Sequence, residues 1–144
     1  MERNVSVSQC YSDTIEYARN LAEDAKPGDV ICLDGDLGVG KTVFAKGFAE
    51  GLGIKEPITS PTFTIMNIYD NPAYRMPLYH YDVYRIEDES EMDELGYEEY
   101  FFGEGVCLIE WAKQIEGVIP KKAIHIEIKK DPSKGDNYRE IIRY

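Results

Sequence analysis

The stretch GDLGVGKT, residues 35–42, follows the apolar run Val30-Ile31-Cys32-Leu33 directly and precedes a segment with helical spacing. No other feature of the chain restricts its fold as much. Glycine suits backbone conformations closed to other residues and lets a ligand come close to the main chain. The pattern fits GxxxxGK[ST], in which consecutive backbone N–H groups surround phosphates at the positive end of the helix they begin. Asp36, Leu37, Gly38, Val39, Gly40, Lys41, Thr42 and Val43 are therefore expected to form a phosphate cradle. Lys41 is the mobile positive charge for the β- and γ-phosphates, and the Thr42 hydroxyl is the expected Mg²⁺ ligand. A chance match in a chain of this length is on the order of 1%.

The surrounding pattern supplies the fold around this loop. Ile15, Ala18, Leu21, Ala22 and Ala25 recur at helical spacing behind the capping-box-like Asp13-Thr14-Ile15-Glu16, and Lys26-Pro27-Gly28 stops the run. Asp29 to Asp34 reads as a strand buried on both faces, the kind found inside a mainly parallel sheet. Phe44, Ala45, Phe48, Ala49 and Leu52 share one helix face, with Gly53 as the expected cap. Two β-rich runs, Thr62 to Tyr69 and Leu78 to Tyr84, flank Asp70-Asn71-Pro72 and predict a hairpin or adjacent pair. One or two short helices follow in the acidic segment, then strands at Val106 to Ile109, Ile124 to Ile128 and Tyr138 to Tyr144. The expectation is an α/β fold of P-loop type, a mixed, mainly parallel central sheet flanked by helices, with residues 1–144 as a single domain.

A P-loop site also needs a carboxylate near the metal, normally at the end of a neighbouring buried strand. Glu110 ends the apolar run Val106 to Ile109, and Asp82 lies in the run before it. Strand alternation puts Asp82 on one face with His80 and Leu78, and Tyr79, Tyr81 and Val83 on the other. His80 is open to two readings, a proton relay or phosphate contact on one side and a structural histidine on the other. Arg85 is placed either to pair with Asp82 or to reach a phosphate. Thr62 is the hydroxyl expected to sense the γ-phosphate. Trp111, the only tryptophan, is either core packing or a wall of the nucleotide site.

Charge excludes some functions. Net charge is −11, and nine of the 27 acidic residues fall between Glu87 and Glu104, a segment without lysine or arginine. Such a chain has no broad basic surface, so direct, tight nucleic-acid binding by this chain alone is not expected. No apolar stretch approaches the ~20 residues of a membrane span, and a cytoplasmic location is expected. Three cysteines without CxxC spacing, two of them in apolar runs, read as buried thiols. A small-molecule kinase would need an arginine-bearing lid, and the six arginines are scattered singly. A GTPase would need an Asn-Lys-x-Asp base reader, which the sequence lacks, so adenine is the better fit.

Behind GDLGVGKT come SPTF (60–63), HYDVYR (80–85), the acidic ELGYEEY (94–100) and LIEW (108–111). In this order the chain resembles, over nearly its whole length, the TsaE family, formerly YjeE, of bacterial ATPases needed for threonylcarbamoyladenosine in tRNA. The resemblance implies a weak intrinsic ATPase using ATP/ADP and Mg²⁺, acting with the proteins TsaB and TsaD to support repeated turnover. Carried over by position, Lys41 and Thr42 match the phosphate and magnesium residues. Asp82 and Glu110 match the two acids around the metal and the attacking water. Thr62 matches the switch segment and Trp111 the signature tryptophan. Val39 stands where alanine is more usual, adding bulk beside the phosphates. A small-molecule kinase and a non-hydrolysing nucleotide-binding module are the alternatives that an activity assay separates.

Overall fold

The strand Val30–Asp34 has no polar face, and a strand with none belongs inside a sheet covered on both sides. In the computed structural model, which describes residues 4–36, 39–61 and 64–144, it sits at the middle of the sheet. The elements are β1 (Asn4–Ser8), α1 (Tyr11–Asp24), β2 (Val30–Asp34), α2 (Lys41–Gly51), β3 (Met66–Tyr69), β4 (Leu78–Asp82), α3 (Glu91–Glu94), α4 (Tyr97–Phe101), β5 (Val106–Glu110), β6 (Ile124–Lys130) and β7 (Arg139–Arg143). Short 3₁₀ turns span Ala112–Val118 and Pro132–Lys134. Among the described residues the seven strands run in the order β1-β7-β6-β2-β5-β4-β3.

The sheet is mixed. β2 pairs in parallel with β5 and β6, and β5 in parallel with β4. The outer pairs β3/β4, β6/β7 and β1/β7 are antiparallel. The parallel part is thus the four central strands, fewer than a mainly parallel reading suggests. The difference comes from the predicted turn at residues 70–72 and a further turn at 131–137, which fold their flanking strands back as antiparallel partners, and from the unforeseen β1.

Strand alternation separates two cores. Ile31, Leu33, Leu78, Val106, Leu108 and Ile126 pack under α1 and α2, against Ala18, Phe44 and Phe48. Val30, Cys32, Tyr79, Tyr81, Cys107 and Ile109 face the other way, onto Met92 of α3, Phe101 of α4 and Ile115. The parity expected for β4 is the one observed. Among the described residues no helix is long and apolar enough to cross a membrane.

Three local expectations need correction. α1 begins at Tyr11 behind Cys10, so Asp13 stands in the first turn instead of ahead of it, and its carboxylate accepts the Gln9 N–H at 2.9 Å. The buried residue there is Thr14, whose hydroxyl meets that of Ser8 at 2.7 Å. Of the strand predicted over Thr62 to Tyr69, the described part from Thr64 is regular strand only from Met66, because Ile65 takes φ +67, a left-handed conformation that interrupts extended chain. The last strand of the hairpin stops at Asp82, two residues short of the prediction.

Candidate functional site

Parallel strands end on the same side, so β2, β4 and β5 deliver Asp34, Asp82 and Glu110 to one rim of the sheet. The loop from β2 to α2 crosses that rim. Two of its glycines have separate reasons. A Cβ on Gly35 would lie 2.9 Å from the Ile128 carbonyl oxygen of β6, so the chain passes there only without a side chain. Gly40 caps α2 at φ +112, left-handed backbone that glycine adopts without penalty. The first turn of α2 then presents Lys41, Thr42 and Val43, with main-chain N–H groups that have no partner within the helix. Leu37 and Gly38 of the motif, and Thr62, lie outside the described residues.

Asp82 and Glu110 are register partners on neighbouring parallel strands, on the face that α2 covers. Glu110 is 5% exposed, and its Oε2 lies 2.7 Å from Nε2 of His80, itself 1% exposed. Asp82 accepts the Tyr84 N–H through Oδ1 at 3.1 Å. Burial pushes the Asp82 carboxyl above the usual carboxylate range. The Tyr84 N–H draws it down, the neighbouring Glu110 adds to the rise, and Lys41 and His80 oppose it.

Lys41, Thr42, Asp82, Arg85, Glu110 and Trp111 all line one cleft of about 450 Å³, which Gly40 and Val43 also border. A second cavity of about 380 Å³ shares Lys41 and Trp111 as its wall and continues past Asp36 and Val39 to Lys113 and Lys129. Both volumes suit a small-molecule ligand. Trp111 is half-buried and takes φ +63 immediately after β5. Its ring packs on Tyr84 with centroids 4.8 Å apart, and the Lys41 ammonium lies 4.1 Å from its centroid. The tryptophan borders the cleft and also packs against the core cluster that holds Met92 and Phe101. Val39 is 2% exposed in the core under α1 and α2, so most of its extra bulk is directed inward.

The donor set suits a hard cation. Thr42 offers a hydroxyl, and Asp82 and Glu110 offer adjacent carboxylates that carry mutual repulsion. Among the described residues no three His, Cys, Asp or Glu form a ready metal cage. Mg²⁺ does not require one, because it is commonly held by one or two protein oxygens together with substrate phosphates and water.

One residue contributes that sequence reasoning did not place. Arg139 of β7 donates through Nε to the Val39 carbonyl at 2.7 Å, tying the loop to a strand 100 positions away in the chain. Only the three-dimensional register could reveal this contact. His80, left open by the sequence, is buried beneath Glu110, with Nε2 2.7 Å from Oε2 of that residue.

A family model described as "Threonylcarbamoyl adenosine biosynthesis protein TsaE" matches residues 8–141. The tRNA threonylcarbamoyladenosine biosynthesis protein TsaE of Bacillus subtilis is 55% identical over 129 residues, which is 90% of this chain and 77% of that protein. Its namesake from Treponema pallidum is 39% identical over 85% of this chain and 89% of its own length. The crystal structure of Bacillus subtilis YdiB superposes with a TM-score of 0.83 at 44% identity, covering 99% of this chain and 84% of that one.

Proposed function

The chain belongs to the TsaE family, and on that premise we propose that it is a Mg²⁺-dependent ATPase serving tRNA threonylcarbamoyladenosine biosynthesis, with TsaB and TsaD as its working partners. The observation that carries this reading is the convergence of Lys41, Thr42, Asp82 and Glu110 on one cleft at the carboxyl ends of parallel strands.

ATP enters with its phosphates against the N–H groups at the start of α2, where the helix field favours negative charge. Lys41 leaves the Trp111 ring for the β- and γ-phosphates. The cation–π contact it gives up is worth about 0.5–2 kcal/mol, less than charge-assisted bonds to phosphate return. Thr42, with Asp82 or Glu110, would hold Mg²⁺, whose charge offsets the negative charge that develops on the phosphate oxygens. Glu110, fixed from below by His80, orients the attacking water and accepts its proton. Trp111 forms a wall beside the nucleotide. The acidic segment between Glu87 and Glu104 fits a subunit that leaves RNA contact to its partners.

The test is phosphate release from ATP and Mg²⁺ by the chain alone and with TsaB and TsaD. Release that rises with the partners is expected. Transfer of the γ-phosphate to a metabolite would favour a kinase instead, and binding without turnover a nucleotide-binding module.

A further inference from the structure

His80 is the one buried histidine of β4, and it carries an unusual pair of surroundings. Its Nε2 meets Glu110 Oε2 at 2.7 Å, while its Nδ1 is buried with no hydrogen-bond partner among the described residues. Its register neighbours on the same face are Asn67 of β3 and Leu108 of β5. A proton on Nδ1 would be a donor buried without an acceptor, whereas a proton on Nε2 meets a carboxylate at ideal distance. The tautomer that fits both ends therefore donates from Nε2 to Glu110.

We propose that His80 is the positioning residue of Glu110, holding Oε2 so that only Oε1 is left to serve the cleft. The inference rests on the ATPase reading above and deepens it. A glutamate has three side-chain torsions, and a carboxylate free to rotate would offer either oxygen at any angle. Strand pairing fixes the Glu110 backbone, and the His80 bond fixes the far end of its side chain. The proton stays on His80 throughout. Its contribution is orientation, the kind of support that partners behind a catalytic carboxylate or ligand supply. A histidine can do this from inside the sheet because β4 and β5 run in parallel with matched register, which places residue 80 two positions before Asp82 and beneath residue 110.

The test uses the full chain with ATP, Mg²⁺, TsaB and TsaD, comparing His80→Leu, which removes the donor, with His80→Gln, whose amide N–H can stand in for Nε2–H. His80→Leu should lower kcat about 10- to 100-fold, with the Kd for ADP near that of the parent, and His80→Gln should recover most of the loss. In a Glu110→Gln background the His80→Leu change should add little, since both act through one carboxylate. Independently of turnover, the imidazole ¹⁵N spectrum of the parent should place the proton on Nε2 and move when Glu110→Gln is introduced. That arm does not depend on the leucine variant folding. Equal kcat in parent and a folded His80→Leu, or loss that His80→Gln fails to restore, would overturn the inference while leaving the ATPase reading in place. A parent that never hydrolyses ATP, even with its partners, would remove the ATPase reading and this one together.

Discussion

Helix α2 lies so close to α1 because two of its positions have no side chain. A Cβ on Gly47 would stand 2.6 Å from the Ile15 carbonyl oxygen and 2.7 Å from the Ile15 Cα, and one on Gly51 would stand 2.5 Å from the Arg19 carbonyl oxygen. Ordinary contact begins at 3.4 Å, so Gly47→Ala asks α1 to retreat by some 0.8 Å. The obstacle is helical backbone, which has no rotamer to adjust. Retreat would also lift Ala18 and Ala22, both fully buried, off Phe44 and Phe48. Helix propensity works in the opposite direction, favouring alanine by about 1 kcal/mol. Overpacking of a close-packed core costs about 1–3 kcal/mol, and a clash with unyielding backbone belongs at the upper end. The net expectation is destabilisation of about 1–2 kcal/mol, a fall in Tm of roughly 3–8 °C. Thermal and urea denaturation of parent and variant measure it. The affinity for ADP should fall as well, because the same helix carries Lys41 and Thr42 in its first turn. A Gly47→Ala protein that melts at or above the parent would refute the claim that bare backbone contact sets the α1–α2 distance.

Lys41→Ala should weaken ADP binding about 10- to 100-fold by calorimetry, the loss of one charge-assisted contact. Glu110→Ala should instead spare binding and lower hydrolysis about 10²- to 10⁴-fold, as removal of a general base does. Burial raises the Asp82 carboxyl, so folding takes up protons there and the associated stability is present in acid and lost as pH climbs above the ordinary aspartate value of about 3.9. Asp82→Asn should accordingly raise Tm at pH 7 and do less near pH 4, measured without nucleotide. A thiol reagent should label Cys10, which is exposed, in the native protein. Cys32, with its thiol pushed up to about 12 by burial, and Cys107, equally buried and likewise raised, should react only on unfolding, as mass spectrometry of the labelled peptides would show.

Local patterns were readable from the residues, and pairings between distant segments were not. The strand, loop and helix around GDLGVGKT are legible because apolar run, glycines and helical spacing are contiguous. The strand β1 carries no clear signal because NVSVS alternates over only five residues and turns Val5 and Val7 outward at a sheet edge while Ser8 is buried, so no buried apolar face marks it. The start of β3 depends on the left-handed turn at Ile65, which a β-branched residue does not announce. Likewise the acids could be named as candidates from their strand ends, but nothing in the chain says that Asp82 stands opposite Glu110.

That opposition is what the sheet supplies. Because β2, β5 and β4 are parallel neighbours, Leu33 aligns with Glu110 and Glu110 with Asp82, so both acids reach the rim where α2 begins. Side chains alternate with a period of two, and a slip of one residue in β5 would turn Glu110 away from α2 and toward Ile115 and Met92. The same slip would bury Ile109 where His80 now meets a carboxylate, leaving that imidazole with no partner at either nitrogen. The His80–Glu110 contact therefore discriminates against the wrong register at the same place where it orients the site, and replacing both residues with apolar ones would remove a penalty for misalignment along with the chemistry.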